Sequence, residues 1–403
     1  MTTQLTERSA TRPVREESRS KSIPMNASRT PAMSSFRVTS DVNLSQAERE
    51  AVGAGENVVS CARYFPFSTP DTELFWAKAY DGERLAAIAP VVRLRKRKAT
   101  DMLRAPVRKW LGPIIGPLAR KTTLLVDTAF MAYDAGSPFI SAPGVDRPAV
   151  KRAISAFLKS QKKVDTVWIS EPPAEAEWAA TEKYHQFLTL PMVRIVTENC
   201  TKLDDFLATL SRNRRRNFRR ERDTFTKAGA RIEMWQGVIR ENPTLHRQVM
   251  SLLGSSEVNT KFSVPYNDVL TNPDAIAAQW QIVLTAHLGD QVVGFMSCLQ
   301  DGKRLMQCHG GLDYKISHEI LAYHNLISRA IEHAIELGCD ALTLGPFTNE
   351  TKKRAGGKMQ PIVSSLWNRM PGDAFFAKKV FSKNFEVYRG ELGAPTYAVD
   401  EED

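Results

Sequence analysis

Two runs of cations, with a few histidines and tyrosines, are the side chains whose types and spacing could do chemistry. From Arg212 to Arg222 the chain carries seven arginines against one acid, Glu221. Like charges at i,i+4 on a helix repel by roughly a few tenths of a kcal/mol each. An anion that offsets this repulsion is therefore expected, with Arg215, Arg219 and Arg220 as its ligands, since the arginine fork suits two-point capture of phosphate or carboxylate. Lys352-Lys353-Arg354, ahead of Gly356-Gly357, offer a second cationic site. Tyr314, His318, Tyr323 and His324 gather near the start of a predicted helix, whose N-terminus turns amide donors and a positive dipole end toward any anion there. His309 closes the apolar strand before them. Acyl transfer to an amine needs such parts: a donor site, a neutral acceptor and a dipole facing the developing oxyanion. Each feature also has a plain alternative: a solvated helix face, a solvated loop, or structural, packed His309, Tyr323 and His324. Other chemistries lack their residues. The histidines have no metal-ligand spacing with cysteines or carboxylates, so no metal is expected. Walker A, Rossmann and GxSxG patterns are missing.

The elements that must position these residues are plainest from Gln281 to Arg369. Three apolar, β-branched segments broken at Gly289-Asp290 and Asp301-Gly302 predict a β-meander. Ile320, Ile327, Ile331 and Ile335, with Leu326 and Ala334, recur at helical spacing, and Gly338 stands where a left-handed C-cap wants glycine. Ala341 to Gly345 predicts a short buried strand, and Ile362 to Arg369 a last strand closing the unit. Upstream, Leu74–Tyr80 and Arg84–Val92 around Asp81-Gly82 predict a hairpin. A helix over Ala149 to Leu158 and strands over Val164 to Ile169 and Met192 to Val196 follow. Thr201 is the expected N-cap, with Asp204 as its capping-box partner, of a helix that the arginine run continues to Gly229.

Strand, strand, strand, helix, strand, basic segment, strand is the order of the second part of an N-acetyltransferase (GNAT) domain, which this stretch resembles. Gly311 to Gly357 is similar to the BioF2-like or CelD-like acyltransferases, relatives of the Fem-type peptidoglycan aminoacyltransferases. Ser211 to Asp223 resembles the Leu-Ser-x-x-x-Arg-x-x-x-Arg-Arg helix of that branch. It departs at one place: Tyr314 to Glu319 stand where the GNAT pyrophosphate loop Gln/Arg-x-x-Gly-x-Gly/Ala is usual. The resemblance implies an α+β, tandem GNAT-like fold with mixed central sheets flanked by helices. It implies an N-acyltransferase using acyl-CoA, acetyl-CoA included, on an amine of a small molecule or cell-envelope precursor. His309 would be the base, at a strand end that splays open in GNAT-like folds, and Tyr323 the acid for the leaving group. Tyr314, His318, Lys352, Lys353, Arg354 and the arginines would hold the donor. Aminoacyl-tRNA is the second donor, with the arginine helix as its tRNA face.

Composition bounds the rest. The 403 residues carry a net +10, but ten Lys/Arg against Asp101 fall between Arg93 and Lys121, and local charge points to an anionic partner. Five cysteines, at 61, 200, 298, 308 and 339, form no CxxC pair and read as reduced thiols. Without a signal-like segment or an 18-residue apolar run, a cytoplasmic protein is expected. The apolar stretch Leu111 to Ala119 reads first as a buried turn; its basic flanks leave peripheral binding to the inner membrane face as the alternative. The expected organisation is a disordered tail over 1–35, a GNAT-like half over 36–190, and an acyltransferase half over 191–395 that includes an aromatic C-terminal helix. An acidic tail over 396–403 ends the chain. Two rival classes are a non-catalytic RNA-binding protein using the arginine helix and a peripheral membrane protein. No oligomeric state is indicated.

Overall fold

A computed structural model describes residues 36–53, 72–98, 120–127, 137–189, 191–260, 282–345 and 349–370. The expected tails, the aromatic C-terminal helix and the apolar stretch Leu111 to Ala119 lie outside these residues. Two mixed sheets carry the architecture. The first contains β1 (Arg37–Asp41), β2 (Thr72–Asp81), β3 (Arg84–Lys98), β4 (Arg120–Asp127), β5 (Ile140–Ser141), β6 (Thr166–Glu171) and β7 (His185–Leu188). The helices α1 (Gln46–Ala51), α2 (Arg147–Ser160) and α3 (Pro173–Thr181) belong to this half. The second half runs β8 (Met192–Val196), α4 (Leu203–Thr209), α5 (Arg212–Lys227), β9 (Ala230–Gln236), α6 (Pro243–Thr260), β10 (Ile282–Leu288), β11 (Gln291–Asp301) and β12 (Arg304–Leu312). It continues through α7 (Ala322–Glu336), β13 (Ala341–Leu344), α8 (Asn349–Arg354) and β14 (Lys358–Gln360), and β15 (Val363–Asn368) is the last strand. Strand order is β1-β2-β3-β4-β6-β15-β7 in one sheet, with β5 on β3, and β14-β8-β13-β12-β11-β10-β9 in the other.

The predicted meander forms as β10-β11-β12, antiparallel throughout. The helical stripe forms too: Leu326, Ile327, Ala330, Ile331 and Ala334 of α7 are buried against Val193, Leu284, Met296 and Leu342 of the sheet. Burying each larger aliphatic chain contributes roughly 1.5–3 kcal/mol. On the other face of the second sheet Leu299, Met306 and Cys308 cluster with Trp76, Leu85 and Ile88 from the first, joining the halves.

Four expectations are corrected. The arginine run does not continue the preceding helix: Leu210 is extended and ends α4, and the Ser211 side chain accepts the Arg214 N–H to start α5. The capping acid is Asp205 rather than Asp204, its Oδ2 accepting the N–H groups of Thr201 (2.9 Å) and Lys202 (3.1 Å). Ile320 lies in a turn before α7, because Leu321 takes a left-handed φ of 56° and interrupts any earlier helix. The last strand forms as β15 but completes the other sheet, between β6 and β7. The reason is a paired crossing: β7–β8 and β14–β15 pass side by side from sheet to sheet, and Thr189 N–H donates to Ile362 O at 3.0 Å. Buried Ser364 then accepts the Trp168 Nε1–H at 2.7 Å.

Candidate active site

Parallel strands β12 and β13 pair at only three positions, Arg304↔Ala341, Leu305↔Leu342 and Met306↔Thr343. Beyond them β13 ends at Leu344, while β12 runs on to Leu312 against β11 alone. The sheet therefore opens at that end. A helix linking two parallel strands starts where the first strand finishes, so α7 begins at the same opening and presents its N-terminal end there. A register shift between Ser297 and Cys298 sets Cys308 and His309 of β12 on a bulge, the device that bends a strand away from its neighbour. Gly311 permits the close approach of α6: a Cβ there would lie 2.6 Å from the Leu252 backbone and from the Phe295 ring.

His309 stands on the β12 wall, partly buried, with its N–H donating to Ser297 Oγ at 3.0 Å. Burial pushes its imidazole down to about 4, so it is neutral at pH 7. Across the opening, Lys352 of α8 is 2% exposed. Its Nζ donates to the carbonyl of Gly345, the residue just past β13, and burial pushes the amine down to about 7. At neutral pH such a lysine is both ammonium and amine in comparable amounts, which suits proton transfer. Gly357 holds its turn: the N–H donates to Lys352 O at 2.9 Å, and a Cβ would meet Val193 Cγ1 at 2.4 Å.

Around the start of α7 charged groups converge from three helices. Burial first, then Arg354 and His318, push His324 down to about 4. Burial raises Glu221, opposed by Arg220 and Arg354. His324 Nε2 lies 3.9 Å from Glu221 Oε1, and Asn325 Nδ2 donates to Glu221 O at 3.1 Å. Of the sequence candidates, Arg220, His318 and Arg354 thus come together, with Lys352 buried at the end of β13. Arg219 is exposed on α5. Arg215 is turned to a structural task, its Nη1 donating to Leu210 O (2.6 Å) and Ala208 O (3.3 Å) at the end of α4. Lys353 pairs with Glu350 at 3.6 Å. Tyr314 and Tyr323 are partly buried, Tyr323 against the hydrophobic core. Sequence reasoning gave Glu221 no role of its own and left His324 as a packed residue. A lone acid among seven arginines was the available signal for the first; helical spacing hid the second. Among the described residues no group of three or more His, Cys, Asp or Glu could hold a metal, and no helix is long and apolar enough to cross a membrane.

A family model, FemAB-like, described as peptidoglycan biosynthesis/recognition, matches residues 135–369, more than half of the chain. The chain belongs to the FemAB-like family. No curated protein matches it. Among solved structures it is similar to a C-terminal domain named for lysylphosphatidylglycerol synthetase from Agrobacterium fabrum. The TM-score is 0.51 at 10% identity, covering 85% of this chain and 97% of that one. FemX is similar at a TM-score of 0.50 and 9% identity, with 78% and 96% covered. A tandem GNAT protein from clavulanic acid biosynthesis gives 0.48 at 11%, with 82% and 98% covered. The fold of this FemAB-like chain is the tandem GNAT-like one. The family ties the chain to peptidoglycan biosynthesis or recognition.

Proposed function

We propose that this FemAB-like protein moves an aminoacyl group from aminoacyl-tRNA to an amine of a cell-envelope precursor, in the opening between β12 and β13. The observation that carries the donor is a stripe on α5. Arg212, Arg216, Arg219 and Arg220 recur at helical spacing on one face, all are exposed, and among the described residues none is paired with an acid. An array of forked cations without internal partners suits a phosphate backbone. In the step itself the acceptor amine attacks the ester carbonyl, a C–N bond forms, and the C–O bond to the terminal ribose breaks. Lys352 takes the proton from the amine and returns it to the departing ribose oxygen. The α7 N-terminus faces the oxyanion, and His309 and Tyr323 are the remaining acid–base candidates. Arg220, His318 and Arg354 bind donor phosphate, with Arg219, Lys353 and Tyr314 near them.

Acyl-CoA, acetyl-CoA included, is the second reading of the donor. It is favoured by the convergence of His318 and Arg354 on a helix N-terminus, which would accept a pyrophosphate as readily as a tRNA end. On this reading the acceptor is an amine of a small molecule or envelope precursor, and the chain stands near the BioF2-like branch through Ser211 to Asp223. Thermal shift with charged tRNA, CoA, acetyl-CoA and a long-chain acyl-CoA separates the donors. A ligand at a hundred times its Kd stabilises by about 2.7 kcal/mol. A shift with charged tRNA supports the first reading and a shift with acyl-CoA alone the second. No shift with any of them rejects both.

A further inference from the structure

The opening between β12 and β13 has two faces, and the donor groups lie on one of them. Val193 and Ile195 of β8 and Leu342 and Leu344 of β13 turn toward α7, and Phe218 and Phe225 of the arginine helix pack into the same cluster. Side chains alternate across a strand, and residues paired on neighbouring strands share a face. Arg194 of β8, with its partners Thr343 on β13 and Lys358 on β14, therefore lies on the other face. Met306, paired with Thr343, fixes the side, since it clusters with Trp76 and Ile88 of the first sheet. Met306↔Thr343 is also the last pair before β12 and β13 part. The row Lys358, Arg194, Thr343 thus borders the opening from behind.

Two cations stand on that row without a counter-charge. Arg194 is partly buried, and its Nε is fully buried with no acceptor among the described residues. Lys358 is exposed beside it. Asp340, just before β13, and Glu350 of α8 pair with Lys303 (3.8 Å) and Lys353 (3.6 Å) instead. A buried donor left unsatisfied is costly, and like charges directly opposite on paired strands repel. An oxyanion relieves both penalties: the planar arginine fork captures it through two N–H groups, and the ammonium beside it adds charge.

We infer that Arg194 and Lys358 form an acceptor subsite, and that the acceptor amine belongs to a molecule carrying its own phosphate or carboxylate. The inference rests on the transfer reading. With the donor on the α7 face, the acceptor reaches the opening from the other face, its anion held on this row while its amine meets the donor carbonyl.

The test is isothermal titration of the full chain with inorganic pyrophosphate and, separately, with the dicarboxylate glutarate. Native protein is compared with Arg194→Gln, Lys358→Gln and, as a marker of the donor face, Arg220→Gln. One of the two anions is expected to lose about ten-fold or more in affinity in Arg194→Gln and several-fold in Lys358→Gln. Pyrophosphate in that role assigns a phosphate, glutarate a carboxylate. The thermal midpoints of both variants should stay close to native, because neither cation has a partner to lose. If Arg194→Gln is unfolded, the exposed Lys358 decides the matter. No binding of either anion, or binding that only Arg220→Gln weakens, overturns the inference. So does a donor-induced thermal shift that disappears in Arg194→Gln, because the residue would then serve the donor. The donor shift of the native protein is read separately, so failure of the transfer reading and failure of the subsite are told apart.

Discussion

The two halves repeat one unit, strand–helix–parallel strand, and put its open end to opposite use. In the first, β4 and β6 stay paired over five positions, Thr123↔Thr166 through Asp127↔Ser170. The end is then filled by a buried ion network. Lys151 Nζ reaches Glu171 Oε1 at 2.6 Å and Glu175 Oε2 at 2.8 Å, while Ser137 and Trp178 donate to the same Glu171 carboxylate. In the second, β12 and β13 part after three pairs, and the buried lysine there, Lys352, has a single carbonyl as partner among the described residues. A charge with all its partners consolidates a fold; a charge short of partners stays available for chemistry. The topology is shared, and satisfaction of the buried lysine separates scaffold from site.

Three substitutions can break that contrast, the largest effect first. Lys151→Ala should lose about 3–5 kcal/mol of stability, since it strands the buried Glu171 carboxylate, and denaturant unfolding would show it. Lys352→Met should instead leave the protein folded and lower turnover about 100-fold or more. The pH dependence sharpens it. Lys352 titrates near 7 when folded and near 10.5 when unfolded, so the unfolded chain binds more protons in between, and stability rises with pH across that window. Lys352→Met should remove this rise, which is on the order of a few kcal/mol, and the rate profile of the native enzyme should climb through pH 7. A flat stability profile in the native protein would falsify the assignment of a depressed lysine. Third, Gly311→Ala should cost roughly 1–3 kcal/mol, because the new methyl meets the Leu252 backbone, which cannot swing aside as a side chain would.

How much of this was legible in the sequence depends on whether a signal was local. The meander and α7 show in apolar period and turn residues, and both form, α7 starting only after Ile320. The break at Leu210-Ser211 did not show, because the apolar spacing from Leu203 through Phe218 fits one helix as well as two. The residues of β15 read as a strand, but no local pattern says which of two sheets receives it. That depends on the crossing beside β7 and β8. Lys352 was the hardest. Flanked by Lys353 and a near neighbour of Arg354, it reads as a solvated cation, and only the fold of α8 against β13 and β8 buries it.

The smallest effect tests the same contrast within a single helix. Arg215 and Arg216 are adjacent in sequence, yet Arg215 donates to carbonyls at the end of α4 while Arg216 is exposed, with no acidic partner among the described residues. Arg215→Ala should therefore cost about 1 kcal/mol of stability, the usual size of a lost helix-end hydrogen bond, with donor affinity nearly unchanged. Arg216→Ala should leave stability within about 0.5 kcal/mol and weaken charged-tRNA binding several-fold, with a shallower salt dependence because one phosphate contact is gone. Parallel measurements of thermal midpoint and filter binding separate the two. If Arg215→Ala weakened donor binding more than Arg216→Ala, the arginines that face solvent would not be the ones that read the donor, and the division between satisfied and available charge would fail in the half where it matters most.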